Sequence, residues 1–323
     1  MLGLTTASLA LALLVSAPAR PESDRAPRGT FLVWEGAKGL GFLAATGEEK
    51  ERLTPRSFIG AFSPDGDWLA VTQLDPGATQ GRLVIQLRSK PTEHARVPLL
   101  WGTTGTSCSL VWAADSKRLL IGEEHRNQNG DQERTFRVYD LMGKSLSEMK
   151  LPREAWITGW SADGKRLLAT VSAADGNARI AWINVDGTSE PEYITSENEI
   201  AYRGQLSPHG SRIICMIGPR QANGERGRFR LNVIDLATRK RTIVDEEGHT
   251  SGHCWSEDGK QIAYTWQPPY EKPAEVSTRE TRLITCDADG TNRKTVTSRK
   301  YELPENSDGR GGIINFFEVR GWR

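Results

Sequence analysis

Few side chains in this 323-residue sequence are of a type and spacing that could do chemistry. The five histidines are His94, His125, His209, His249 and His253. His249 and His253 stand four apart, a spacing that binds zinc when both project from one helix face, but here the segment reads as a loop entering a strand. The cysteines, Cys108, Cys215, Cys254 and Cys286, form no Cys-x-x-Cys pair, so neither a zinc knuckle nor a redox motif is expected. They allow three disulfide pairings or stand as small buried thiols. No Gly-x-Ser-x-Gly elbow, P-loop or Gly-x-Gly-x-x-Gly occurs, and no metal or cofactor is expected. Four residues have better prospects. Trp156, Tyr202, Arg203 and His253 each fall just ahead of a recurring motif, and a ring of such groups would suit an anionic or carbohydrate ligand.

That motif positions everything else. It is an aromatic or Leu, a small residue, a turn, a polar pair and an apolar run. Its copies are Phe62-Ser63-Pro64-Asp65-Gly66-Asp67-Trp68-Leu69-Ala70 and the segments beginning at Trp112, Trp160, Leu206 and Trp255, spaced by 50, 48, 46 and 49 residues. Where a copy carries Asp-Gly, Asp bonds its own backbone and Gly takes the left-handed position, and the repeat as a whole reads as a tight hairpin. The aspartates Asp65, Asp115, Asp163 and Asp258 could suggest calcium, but this turn chemistry accounts for them, and one copy carries His209 instead. A second hairpin follows each motif, with first strands at Leu83–Leu87, Phe136–Tyr139, Ile180–Val185, Leu231–Ile234 and Leu283–Cys286. Four antiparallel strands every 40–50 residues make a propeller blade, and no segment holds a helical apolar period for three turns.

A sixth outer hairpin begins at Phe31–Trp34 and runs on to Leu53 with no inner hairpin before it. The segment Ile313-Ile314-Asn315-Phe316-Phe317 leads to Gly321-Trp322, where Trp322 stands as Trp160 does in its repeat. The expectation is an all-β, six-bladed β-propeller of four-stranded antiparallel blades over residues 30–323, closed by pairing of the N- and C-terminal strands. Closure removes exposed sheet edges. Trp112, Trp160 and Trp255 recur at one repeat position and are expected to pack between blades; Trp101, Trp156 and Trp266 have no repeat explanation.

The Trp-Ser-x-Asp-Gly-Lys pattern resembles the WD40-like repeat of the TolB-type propellers, and the resemblance covers roughly residues 30–322. It implies the propeller fold and an exported bacterial protein, and is nearly silent on function. The family includes the TolB component of the Tol–Pal system and the non-catalytic propellers of prolyl-oligopeptidase-like enzymes. TolB carries an α/β domain ahead of its propeller, and the first hairpin here starts about ten residues after the expected cleavage site, so a Tol–Pal role is the less favoured expectation.

Residues 1–19 hold no charged side chain, run apolar from Leu2 to Val15 and end in Ala17-Pro18-Ala19, so a signal peptide cut after Ala19 is expected, with a short linker over 20–29 and a periplasmic or secreted address. The apolar run is too short to span a membrane. With 42 Lys and Arg against 41 Asp and Glu the net charge is +1, which excludes a general nucleic-acid binder. Strand order puts the Asp-Gly turns on one face and the longer loops, Gln73–Gly81, Glu123–Arg134, Gly218–Gly227 and Gln267–Glu280, on the other. Pro268, Pro269 and Tyr270, stiff and aromatic, are the candidate partner contact there. The expected function is a monomeric, non-enzymatic scaffold that binds a protein, carbohydrate or small molecule through the loop face and channel mouth. The alternatives are a lyase- or lactonase-type propeller enzyme using the channel and a Tol–Pal-like envelope scaffold.

Overall fold

The computed structural model describes residues 29–53, 57–74, 77–78, 80–102, 108–126, 132–172, 177–220, 229–245, 249–268, 278–302 and 317–323. The N-terminal strands are β1 (Phe31–Glu35), β2 (Leu40–Leu43) and β3 (Glu49–Arg52). A blade follows with β4 (Ser57–Phe62), β5 (Trp68–Leu74), β6 (Gln80–Leu87) and β7 (Lys90–Gly102). The next is β8 (Cys108–Trp112), β9 (Arg118–Arg126), β10 (Gln132–Asp140) and β11 (Ser145–Met149). Then come β12 (Ala155–Trp160), β13 (Arg166–Ser172), β14 (Ala178–Asn184) and β15 (Glu192–Tyr193). The following blade is β16 (Glu199–Leu206), β17 (Arg212–Pro219), β18 (Arg230–Asp235) and β19 (Arg241–Asp245), and the next is β20 (His249–Trp255), β21 (Gln261–Gln267), β22 (Thr278–Asp287) and β23 (Lys294–Glu302). The last strand, β24 (Phe317–Trp322), pairs antiparallel with β1 and completes a sixth four-stranded sheet in the order β24-β1-β2-β3. The N-terminus thus supplies three strands of the closing blade rather than a hairpin, and the C-terminus supplies its innermost strand.

The register explains the closure. Trp322 pairs with Phe31 as Trp112 pairs with Leu119, Trp160 with Leu167 and Trp255 with Ile262. Phe31, Val33, Phe317 and Val319 share one buried cluster. Closure also rests on charge. The carboxylate of Glu35, with 2% of its side-chain surface accessible, accepts from Lys38 Nζ at 3.1 Å, Arg52 Nη2 at 3.0 Å, the Tyr301 hydroxyl at 3.3 Å and the Arg299 guanidinium of β23. These donors outweigh the desolvation that opposes them and hold Glu35 below the usual carboxylate range.

The motif works locally and between blades. Asp65, Asp115, Asp163 and Asp258 each accept the backbone N–H two residues on, at 2.9–3.0 Å, so the turn occupies their carboxylates. Gly164 takes φ +72°, whereas Ser116 holds the equivalent left-handed place at φ +57°. Ser116 has its own use: its hydroxyl accepts Asp65 N–H from the neighbouring blade at 3.0 Å. The recurring Trp ties blades together. Trp112 Nε1 donates to Ala61 O at 3.0 Å and Trp255 Nε1 to Gln205 O at 3.2 Å, each on the preceding inner strand. Arg118 and Arg212 lie over the rings of Trp160 and Trp255 at 5.3 and 5.1 Å. Apolar burial is radial, with one cluster at each blade interface among the described residues.

One expected loop is mostly strand. Glu123–Arg134 continues the ladder, pairing Arg126 with Gln132 through to Glu123 with Thr135. Its charges suggest solvent, but they pair across the strands, Glu124 with Arg134 and His125 with Glu133.

Candidate functional site

The six innermost strands, β4, β8, β12, β16, β20 and β24, surround the axis and run from the loop face to the turn face. Five of them carry a register irregularity: at Ser57/Ile59, Ile157/Gly159, Tyr202/Gln205 and Thr250/His253, and in β24 opposite Leu32/Val33. A bulge adds a residue on one strand only and re-aims its side chains. At the Tyr202/Gln205 irregularity Arg203 sits at φ +57°, a conformation that non-glycine residues rarely adopt.

Between these strands lies a cavity of about 450 Å³ toward the loop face. Trp156, Tyr202, Arg203 and His253 all line it, so the structure gathers the four sequence-derived candidates into one site. A second cavity of about 220 Å³ lies toward the turn face. The two share Ala61, Leu110, Thr158, Gln205 and Arg320, which form the neck of a single axial channel.

His253 is 9% exposed. Its Nε2 meets Arg203 O at 2.7 Å, and since a carbonyl only accepts, Nε2 carries the proton. Nδ1 is therefore an acceptor, and it is buried with no hydrogen-bond partner. Burial pushes the imidazole pKa down to about 4, the Arg203 and Arg320 charges push the same way, and the carbonyl bond opposes them. His253 is thus neutral at pH 7. Trp156 is half-buried beneath the Arg134 guanidinium, 5.0 Å from its ring centroid, and Tyr202 packs on Phe229 at 4.7 Å. Phe58, which stands four residues ahead of its motif as Trp156 does, packs into the interface between the blades of β4 and β8.

Sequence reasoning missed four participants. Arg320, on the bulge of β24, keeps 33% of its side-chain surface accessible while the blades surround it, because it faces the channel. Desolvation moves its pKa down, opposed by Glu318. Glu318, 9% accessible, pairs with Arg320 and lies 3.7 Å from Arg203 Nη1. Gln205 and Thr170 also line the cavity. Arg320 Nε, Gln205 Oε1 and Thr170 Oγ1 join His253 Nδ1 as buried polar atoms without a hydrogen-bond partner. A signal was available: the position two before each motif aromatic reads Gly60, Leu110, Thr158, Gly204, His253 and Arg320, all of which line the cavity.

No protein-family model matches the chain, and no curated protein matches it. Solved structures do. TolB from Acinetobacter baumannii superposes with a TM-score of 0.62 at 16% identity over 90% of this chain. A putative TolB from Agrobacterium tumefaciens gives 0.55 at 14% over 84% of this chain and 90% of its own. The chain has the TolB-type propeller fold. It spans 66% of the length of the Acinetobacter protein. An oligogalacturonate lyase from Vibrio parahaemolyticus shares the fold at a TM-score of 0.52 and 11% identity, over 84% of this chain and 79% of its own. Identities this low speak to fold alone.

Among the described residues no group of three or more His, Cys, Asp or Glu converges as metal ligands, and no helix is long and apolar enough to cross a membrane. Cys215, Cys254 and Cys286 are free and buried, and burial pushes the Cys215 and Cys286 thiols up to about 12, so none is poised as a nucleophile. Pro268 follows β21 half-buried; Pro269 and Tyr270 lie outside the described residues.

Proposed function

We propose that the protein is a non-enzymatic binding module that receives its ligand in the axial channel from the loop face. The observation that carries this reading is the 450 Å³ cavity lined by Trp156, Tyr202, Arg203 and His253, with buried polar atoms that nothing in the fold satisfies. Buried polar groups are nearly always paired, and a cluster of exceptions in one concave site fits a ligand's place. The strands that carry the lining residues belong to blades packed against one another, which favours a site formed in advance of binding.

In this reading residues 1–19 are an export signal, 20–29 a linker and 30–323 the propeller, working as a monomer in the periplasm or outside the cell. Pro268, Pro269 and Tyr270 are proposed as a second contact, for a protein partner. The fold is shared with TolB proteins, which supports the envelope address.

A thermal-shift screen of the purified protein against a small-molecule library tests the proposal when run beside Thr158→Trp, which fills the channel neck. Ligands that raise the Tm of the wild type and not of the filled variant support it. A library whose hits act equally on both proteins refutes it.

A further inference from the structure

We infer that the channel selects a hydroxylated anion, a sugar acid or sugar phosphate, with Arg320 and Arg203 taking the charged group and His253 and Gln205 accepting from its hydroxyls. This deepens the channel-binding reading and rests on it.

The charged residues lining the cavity are Arg203 and Arg320, and Glu318 adjoins both; Arg134, over Trp156, is paired with Glu124. Two guanidiniums meet one carboxylate, so the wall keeps a net positive charge inside a ring of low-dielectric blades, which concentrates the field on an entering anion. Glu318 pairs with Arg320 Nη2, while Nε is buried with no acceptor. An N–H in that position calls for an acceptor, and a carboxylate or phosphate matches guanidinium geometry best. Arg203 supplies the second cation: its side chain is 46% accessible, and the left-handed bulge that carries it is the kind of backbone cost a fold retains at a functional site.

Charge alone leaves two atoms unexplained. His253 Nδ1 and Gln205 Oε1 are both acceptors without donors, and a bare carboxylate such as acetate has no O–H to give them. A ligand that satisfies both sets of atoms carries an anionic group and O–H donors together. The half-buried indole of Trp156 offers such a ligand an apolar wall in the same cavity. A neutral sugar would satisfy the acceptors and offer Arg320 Nε only an uncharged oxygen; acetate would meet the arginines and leave the acceptors without donors.

Glucuronate and glucose differ by one carboxylate, and glucose 6-phosphate places the charge on a phosphate, so calorimetric titration of the three at pH 7 and low salt is the test. The expected result is that one or both acids bind at least about tenfold more tightly than glucose, as charge-assisted hydrogen bonds imply. Arg320→Gln should weaken the acid by about 10- to 100-fold, far more than it changes glucose, with Arg320→Lys in between, since it restores charge without the fork. Circular dichroism and Tm establish that the variants fold, and Arg203→Gln, at an accessible side chain, gives a second measurement of the same kind. Whether glucuronate or glucose 6-phosphate is preferred tells a carboxylate source from a phosphate source, and either preference supports the inference. Equal binding of glucose and both acids, indifference to both arginine variants, or no binding by either acid overturns it. A neutral ligand emerging from the channel-filling screen would also overturn it while leaving the channel-binding reading in place.

Discussion

Replacing His253 by Gln should flatten part of the protein's acid sensitivity. His253 has a pKa of about 4 in the folded state against an ordinary value of 6.5, so between those values the unfolded chain binds a proton that the native state refuses. Stability therefore rises with pH across this window: the contribution is complete above pH 6.5 and is lost as the solution is acidified toward pH 4. Taking the two values at face, acidification from about pH 7 to about pH 4.5 costs about 2 kcal/mol through this one imidazole. At 9% exposure solvent screening does little to reduce that figure. Carboxylates such as Glu35 and Asp115, held low by their partners, destabilise the fold in the same direction as they protonate. They are common to both proteins and cancel in the comparison. Gln is the apt replacement because its amide N–H₂ can take over the bond that Nε2 donates to Arg203 O at 2.7 Å. Urea denaturation of wild type and His253→Gln at about pH 7 and about pH 4.5 gives four free energies. The expected outcome is that the wild type loses about 2 kcal/mol more than the variant on acidification. Equal losses would mean that His253 is not held neutral by burial, and the assignment of Nδ1 as a free acceptor in the channel would fall with it.

Three further perturbations test the ring itself. Glu35→Gln strips a buried carboxylate from Arg52, Arg299 and Lys38 and should cost about 3 kcal/mol in urea denaturation, since it leaves cations facing one another in a partly buried site. Gly252→Ala would place a Cβ 2.6 Å from Val319 O, so the blade of β20 and strand β24 must move apart; a loss of about 1–3 kcal/mol is expected, read as a lower denaturation midpoint. Ser116→Ala keeps the left-handed backbone and loses the acceptor for Asp65 N–H, so it should cost about 1 kcal/mol, whereas Ser116→Gly relieves the backbone and should recover most of that loss. Equal effects of the two Ser116 variants would show that the backbone conformation carries no cost.

How much was legible depended on whether the signal was local. The Asp-Gly turns, Trp112, Trp160 and Trp255 were readable because turn chemistry and blade packing repeat the same residue types at the same step. Trp322 was readable as a sixth copy for the same reason, and it led to the closing pair with Phe31. The channel was half readable. Looking about four residues ahead of each motif found Trp156 and Tyr202, but that position also holds Phe58, which turns into a blade interface. The bulges decide which residues face the axis, and a bulge is a relation between two strands: Tyr202 pairs with Met216 and Gln205 with Ile214, leaving Arg203 and Gly204 over. Nothing in the run Tyr202-Arg203-Gly204-Gln205 states that mismatch. The loop reading of Glu123–Arg134 failed in the mirror way, because charges that pair across a ladder have the composition of a solvated loop.

The chemistry of the channel and the closure of the ring meet in one short strand. β24 brings Phe317 and Val319 to the blade interface and Glu318 and Arg320 toward the channel, the alternation that a strand imposes. It is fixed on both sides: through pairing with β1 on one, and on the other through Val319 N–H, which donates to Thr265 Oγ1 at 3.0 Å while that hydroxyl reaches Gly252 O at 3.3 Å. Thr265 is fully buried, so this link has no competing water. Arg320 is therefore held in the channel only as long as the ring is closed. Glu318 serves the same economy from the other direction. Without it, Arg203 and Arg320 would repel each other inside the channel, and the strand that closes the ring would carry an unpaired charge into its own interface.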